Sequence, residues 1–184
     1  MTLAPQVLIL WAGPKHSGKT TAAARLVQAV RAKGWAIAGC LAPSLYENDR
    51  LIGFDILDLR TGRRATLARR RSVPGKNEGF RFEAEGLELG HEALGPAATR
   101  DADLIVIDEY GPLELACRGW RAATDRLMTS TDAVLLLVVR EELVEKVLQL
   151  YGSIPARKIV ATEQGSIDEI LALLANRRRS PSYE

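Results

Sequence analysis

Apolar residues fall into short solid runs separated by longer stretches in which they recur at helical spacing. The first run, Val7-Leu8-Ile9-Leu10-Trp11, has the length and composition of a buried strand. From about Lys19 to Lys33 the spacing predicts a helix, closed by Gly34. Trp35 to Leu41 forms the next apolar strand, and pairing it with the first gives a βαβ unit and a parallel sheet. Further on, Leu104–Ile107, Ala133–Val139 and Lys158–Ala161 read as strands. Gly86–Thr99 (broken at Gly95-Pro96), Trp120–Thr129, Glu141–Tyr151 and Ile167–Asn176 read as helices.

The middle of the chain departs from this rhythm. Leu51 to Leu59 partly alternates, Arg60-Thr61-Gly62-Arg63 suits a turn, and Arg64–Ala68 and Phe80–Phe82 suit short returning strands. The expectation is an α/β fold of three layers, its sheet mainly parallel with a short antiparallel excursion. Residues 1–184 are expected to form one domain. Arg69 to Gly79 carries no periodicity and is expected to be a mobile surface loop, and 177–184 a flexible tail.

Composition narrows the class. With 47% apolar and 26% charged residues, the chain is expected to be a soluble globular protein. A net charge of +2 gives no indication of a nucleic-acid partner. No apolar run is long enough for a bilayer, and the N-terminus lacks a basic leader, so the cytoplasm is the expected compartment. Cys40 and Cys117, far apart in sequence, are read as reduced packing residues.

Chemistry enters at the end of the first strand. Gly13-Pro14-Lys15-His16-Ser17-Gly18-Lys19-Thr20 fits G-x-x-x-x-G-K-[ST], set between a strand and a helix as phosphate binding requires. Glycine lets several backbone N–H groups converge, and the following helix adds the positive end of its dipole. Lys19 would reach the β- and γ-phosphates, and the Thr20 hydroxyl would sit on Mg²⁺. A second landmark is Leu104-Ile105-Val106-Ile107-Asp108, an apolar strand ending in aspartate. Asp108 would hold Mg²⁺, and Glu109 would orient or activate an attacking water. Asp108-Glu109-Tyr110-Gly111 also fits D-x-x-G, which makes the Gly111 N–H a candidate γ-phosphate contact. The candidate nucleotide-binding set is therefore Gly13, Pro14, Lys15, His16, Ser17, Gly18, Lys19, Thr20, Thr21 and Gly111. Thr20 and Asp108 are the candidate metal ligands, and Glu109 and Lys19 the candidate catalytic residues.

Other charged positions are read as structural. His16 occupies a variable loop position, His91 a polar helical surface, and Asp125-Arg126-Leu127 a solvated helix face. Arg69-Arg70-Arg71 is either a solvated loop or a source of a transition-state arginine or of a phosphate-gripping lid.

Three stretches together resemble the THEP1-type nucleoside-triphosphatases, which are P-loop NTPases. They are Gly13 to Thr21, Gly53-Phe54-Asp55-Ile56 with Arg60-Thr61-Gly62, and Ile107-Asp108-Glu109-Tyr110-Gly111-Pro112-Leu113-Glu114-Leu115. The resemblance spans about Val7 to Val139. It implies a P-loop fold of the ASCE type and Mg²⁺-dependent hydrolysis of ATP, GTP and other NTPs to NDP and phosphate, with broad base tolerance. Family members often carry an asparagine–arginine pair after the last strand, where this chain has Thr162-Glu163-Gln164-Gly165-Ser166. Two rival readings remain at this point: a nucleotide or small-molecule kinase, and a nucleotide-dependent switch or accessory protein. No N-K-x-D guanine-specifying motif occurs.

Overall fold

The computed structural model describes residues 7–71 and 79–179. In chain order the strands are β1 (Leu8–Gly13), β2 (Ile37–Leu41), β3 (Ser44–Glu47), β4 (Arg50–Asp58), β5 (Arg64–Arg71), β6 (Gly79–Phe82), β7 (Leu104–Tyr110), β8 (Val134–Arg140) and β9 (Ala156–Val160). The helices are α1 (Lys19–Ala32), α2 (Ala84–Ala93), α3 (Pro96–Thr99), α4 (Pro112–Leu115), α5 (Arg121–Ser130), α6 (Val144–Leu150) and α7 (Ser166–Arg179). All strands share one sheet in the order β6-β5-β4-β2-β7-β8-β1-β9, with β3 paired to β4.

The solid apolar runs follow from burial on both faces. Along β1, Leu8, Leu10 and Ala12 face a core shared with Leu89 of α2, Leu127 of α5 and Val147 of α6. Ile9 and Trp11 face the opposite core, filled by Leu26 and Val30 of α1 and Ile170 of α7. Helices thus cover the sheet on both sides, and strands buried this way need no alternation. Among the described residues, no helix is long and apolar enough to cross a membrane.

Strands β2, β7, β8, β1 and β9 run parallel, so their carboxyl ends lie along one edge. The expected pairing of the first two strands does not occur. β1 lies between β8 and β9, while β2 lies between β4 and β7. Helix α1 therefore carries the chain over two strand positions that β7 and β8 fill later. The antiparallel excursion is present and one strand larger than expected. β3 and β4 form a hairpin whose turn, Asn48-Asp49, has φ of 47° and 60°. Two successive left-handed residues make a twist-matched turn, and Asn and Asp tolerate that region.

Three further expectations are corrected. Arg69, Arg70 and Arg71 are not loop residues: they extend β5, paired to Arg81, Phe80 and Gly79 of β6. Backbone pairing with β6 holds them extended although their side chains supply no apolar face. Residues 72–78 of the expected loop lie outside the described residues. The expected tail begins too early, because α7 continues to Arg179 and Arg177 donates to the Asp132 carbonyl at 2.6 Å. Arginine is a good helix former, so the basic run prolongs the helix; 180–184 lie outside the described residues. Both cysteines are free, yet only Cys40 is buried. Cys117 is exposed at φ 58°, in the turn that follows the single turn of α4.

Candidate functional site

The loop between β1 and α1 wraps the start of the helix. Gly18 takes φ 85°, a left-handed conformation that glycine adopts without penalty, and among the described residues no side chain caps the helix start. Gly13 is needed for space: a Cβ there would stand 3.0 Å from Ser17 Oγ and 3.3 Å from Lys19 Cγ. The buried Trp11 indole donates to the Lys19 carbonyl at 3.3 Å and ties the first turn of α1 to β1. Lys19 is itself buried at 7% exposure, and its ammonium folds back to the Pro14 carbonyl at 2.7 Å. Ser17 Oγ is buried with no hydrogen-bond partner among the described residues. A buried hydroxyl without a partner is costly unless a ligand completes it. His16, at φ 61°, is exposed, as are Pro14 and Lys15.

The end of β7 brings the second group to this loop. Asp108 is 1% exposed and accepts from the Thr20 hydroxyl at 3.3 Å and the Ala42 N–H at 3.0 Å. Burial pushes its carboxyl up to about 7, against the pull of those hydrogen bonds and the Lys19 charge. Thr20 and Asp108, 88 residues apart in sequence, thus present two oxygen ligands side by side. That donor chemistry fits a hard divalent cation that keeps several waters and phosphate oxygens. Among the described residues no cluster of three or more His, Cys, Asp or Glu offers an all-protein cage.

Glu109 points elsewhere. Its carboxylate is held by Arg140, the last residue of β8, with Nε on Oε1 at 2.7 Å and Nη2 on Oε2 at 3.4 Å. The hydrogen bond to Glu109 raises the Arg140 guanidinium above its ordinary value, so the pair stays charged on that side. In the parallel register, Arg140 lies opposite Gly13. The Gly111 N–H donates to Glu114 Oε2 at 2.8 Å, so a γ-phosphate would have to displace that bond. Glu114, buried at 4% exposure, also accepts from the Trp120 N–H at 3.1 Å and closes the loop after β7.

Beside the phosphate loop, a groove of about 480 Å³ runs between the start of α1 and the segment after β9. Ser17, Thr21 and Arg25 line one wall, and Thr162, Glu163 and Gln164 the other.

A family model described as NTPase matches residues 8–172. This chain belongs to that NTPase family. Among curated relatives, the nucleoside-triphosphatase THEP1 of Methanothermobacter thermautotrophicus is 33% identical over 144 residues, covering 76% of this chain and 79% of the relative. The protein of the same name from Ignicoccus hospitalis is 36% identical over 125 residues, covering 64% of this chain and 66% of the relative. The crystal structure of THEP1 from the hyperthermophile Aquifex aeolicus aligns with a TM-score of 0.67 at 22% identity, over 92% of this chain and 98% of that one. The solution structure of a human cancer-related nucleoside triphosphatase aligns with a TM-score of 0.66 at 22% identity, over 97% of this chain and 100% of that one. These two likenesses establish the three-layer fold.

Within this NTPase fold, the sequence-predicted residues Gly13 to Thr21 and Asp108 come together, with Glu109 and Gly111 at the border. Of the arginine triplet, Arg69 donates to Thr66 Oγ1 and Arg70 to the Leu51 carbonyl, both at 3.2 Å and both within the antiparallel excursion. His91 is exposed and stands edge-on to the Trp120 ring, with centroids 5.3 Å apart. Asp125, read as solvated, is partly so, but it also accepts from Tyr151 OH and Arg121 Nε at 2.8 Å. Two participants escaped sequence reasoning. Ala42 contributes only a backbone N–H, which leaves no trace in side-chain pattern. Arg140 did leave one: a single arginine closing an otherwise apolar strand, Val134–Val139.

Proposed function

We propose that this chain is an Mg²⁺-dependent nucleoside-triphosphatase that releases NDP and phosphate and tolerates different bases. The observation that carries the reading is the Thr20–Asp108 hydrogen bond, which joins the phosphate loop to the acidic end of β7. Lys19 and the N–H groups at the start of α1 hold the β- and γ-phosphates, with the Ser17 hydroxyl turned into the same cradle. Thr20 and Asp108 would hold Mg²⁺, which would supply positive charge against the charge that develops on the triphosphate. Glu109 accepts a proton from the attacking water. The water oxygen bonds to the γ-phosphorus as the bond from that phosphorus to the β–γ bridging oxygen breaks, and the NDP leaves with that oxygen. The protein's share is mainly electrostatic preorganisation around the γ-phosphoryl group. The nucleoside end lies in the groove lined by Thr21 and Thr162 to Gln164. Thr162, Glu163 and Gln164 are exposed, so water can complete the hydrogen bonds of whichever base edge is present, which supports broad base use.

The test is phosphate release from ATP, GTP, CTP and UTP, with and without Mg²⁺, in the parent and in Glu109→Gln. Release from all four only with Mg²⁺ is expected, with kcat in Glu109→Gln lower by roughly 10²–10⁴ and affinity within about tenfold of the parent. Undiminished release from Glu109→Gln would remove the hydrolase mechanism and favour transfer to an acceptor other than water.

A further inference from the structure

Arg140 has no part in the reaction as written above, yet it holds the group that does. It closes β8, the strand that separates β1 from β7, so it stands between the two elements that carry the site. On one side its register partner is Gly13, the first residue of the phosphate loop. On the other its guanidinium reaches the carboxylate of Glu109. Glu109 and Arg140 are 36% and 26% exposed at their side chains, so both sit in the mouth of the site. Asp108, one residue earlier, is fixed by two hydrogen bonds at 1% exposure. The contrast separates a fixed metal-facing carboxylate from a carboxylate held only by an exchangeable partner.

An arginine fork on Glu109 takes one acceptor site on each oxygen and draws charge from the carboxylate, which makes it a weaker acceptor for the proton of an attacking water. A bound γ-phosphate changes the competition, because it offers the guanidinium more negative charge and three oxygens where Glu109 offers two. The partners differ in which nucleotide supplies them: a triphosphate presents this group and a diphosphate does not.

We propose that Arg140 is a triphosphate-sensing positioning residue. Without a γ-phosphate it holds the Glu109 carboxylate; with one it transfers to the γ-phosphate and releases Glu109 to the water. The second half rests on the hydrolase reading, and the first half does not. The device makes the base available only when there is a bond to cleave. A ligand can drive such an exchange only through its preference for one of the two states, so the exchange must appear in equilibrium affinity.

The experiment measures binding of a non-hydrolysable β,γ-imido triphosphate and of the diphosphate to the full chain with Mg²⁺. The variants are Arg140→Ala, Arg140→Lys, Glu109→Gln and the Arg140→Ala/Glu109→Gln pair. Arg140→Ala should weaken the triphosphate analogue by roughly 10- to 100-fold and leave the diphosphate within about threefold, the span of a hydrogen bond to a charged group. Arg140→Lys should recover part of that loss. Glu109→Gln, which frees Arg140, should tighten the analogue by about two- to fivefold, the worth of a part-exposed ion pair. That gain should vanish in the double variant. Equal weakening of both nucleotides by Arg140→Ala would make it a structural brace, and no weakening would make the pair a surface ion pair; either overturns the proposal. Failure of Glu109→Gln to tighten the analogue would overturn the exchange. Because the analogue is not cleaved, these readings stand apart from phosphate release, whose absence in the parent would sink hydrolysis alone.

Discussion

Asp108→Asn should stabilise the nucleotide- and metal-free protein at pH 8 while removing its Mg²⁺-supported turnover. The carboxyl is 1% exposed, and burial moves it from its ordinary 3.8 to about 7. Between those values the folded chain keeps a proton that the unfolded chain has released. Stability from this group is therefore complete below about pH 4 and is lost as pH rises through about 7. At about 1.36 kcal/mol per pH unit, the gap sets a ceiling of about 4 kcal/mol on the cost of the buried charge. Asparagine keeps an oxygen to accept from the Ala42 N–H, and the Thr20 hydroxyl can rotate to accept from the amide. The hydrogen bonds lost are few, and about half of the ceiling, ~2 kcal/mol, should survive as a gain. For a chain of this size that is a rise of roughly 4–8 °C in Tm. The assay is thermal unfolding of both proteins with a chelator and no nucleotide, from pH 5 to 8. All other groups are common to the two, so their Tm difference isolates Asp108. It should widen as pH rises. A difference that is flat with pH, or an asparagine variant that melts lower at pH 8, would refute the reasoning.

Lys19→Ala should lower triphosphate affinity by at least roughly tenfold in a direct binding assay, since it removes a charged donor from the phosphate cradle; turnover at the parent rate would contradict the role given to the loop. Gly39→Ala should cost about 3 kcal/mol or more in denaturant unfolding, because residue 39 sits at φ 96° with a would-be Cβ 2.0 Å from the Val106 carbonyl of the neighbouring strand. A loss below ~1 kcal/mol would mean that β2 and β7 can separate cheaply. Glu114→Ala leaves the Gly111 and Trp120 N–H groups without acceptors and should cost about 2–4 kcal/mol in the same assay, near ~1–3 per orphaned group. An unchanged midpoint would show that water reaches the loop after β7.

What the sequence disclosed was local. The phosphate loop is eight consecutive residues, and Asp108 and Glu109 adjoin a run of four apolar ones, so both can be seen without knowing which strands touch. The Arg140–Glu109 pair spans 31 residues and depends on β8 entering between β1 and β7, an order that no local pattern records. The same gap explains the mistaken pairing of the first two strands, since a strand–helix–strand unit fixes direction but not adjacency. The arginines at 69–71 were misread because hydrophobic periodicity reports only strands with a buried face, whereas β6 holds this end of β5 through its backbone. β3 was missed for a related reason: Ser44, Tyr46 and Glu47 are all exposed, and its strand character comes from β4.

The position of β1 bears on how the chain is made. Its two sheet neighbours are β8 and β9, which begin at Val134 and Ala156. During synthesis β1 leaves the ribosome with no native sheet neighbour until β8, which begins about 120 residues after β1 ends, has been made. Contacts of such long sequence separation close slowly, and an apolar strand waiting unpaired is exposed to aggregation. Nucleotide offers the nascent chain little protection, because β8 must enter between β1 and β7 before the phosphate loop and the carboxylates of β7 stand in register. Strands β8 and β9 therefore decide whether Leu8–Gly13 finds its place.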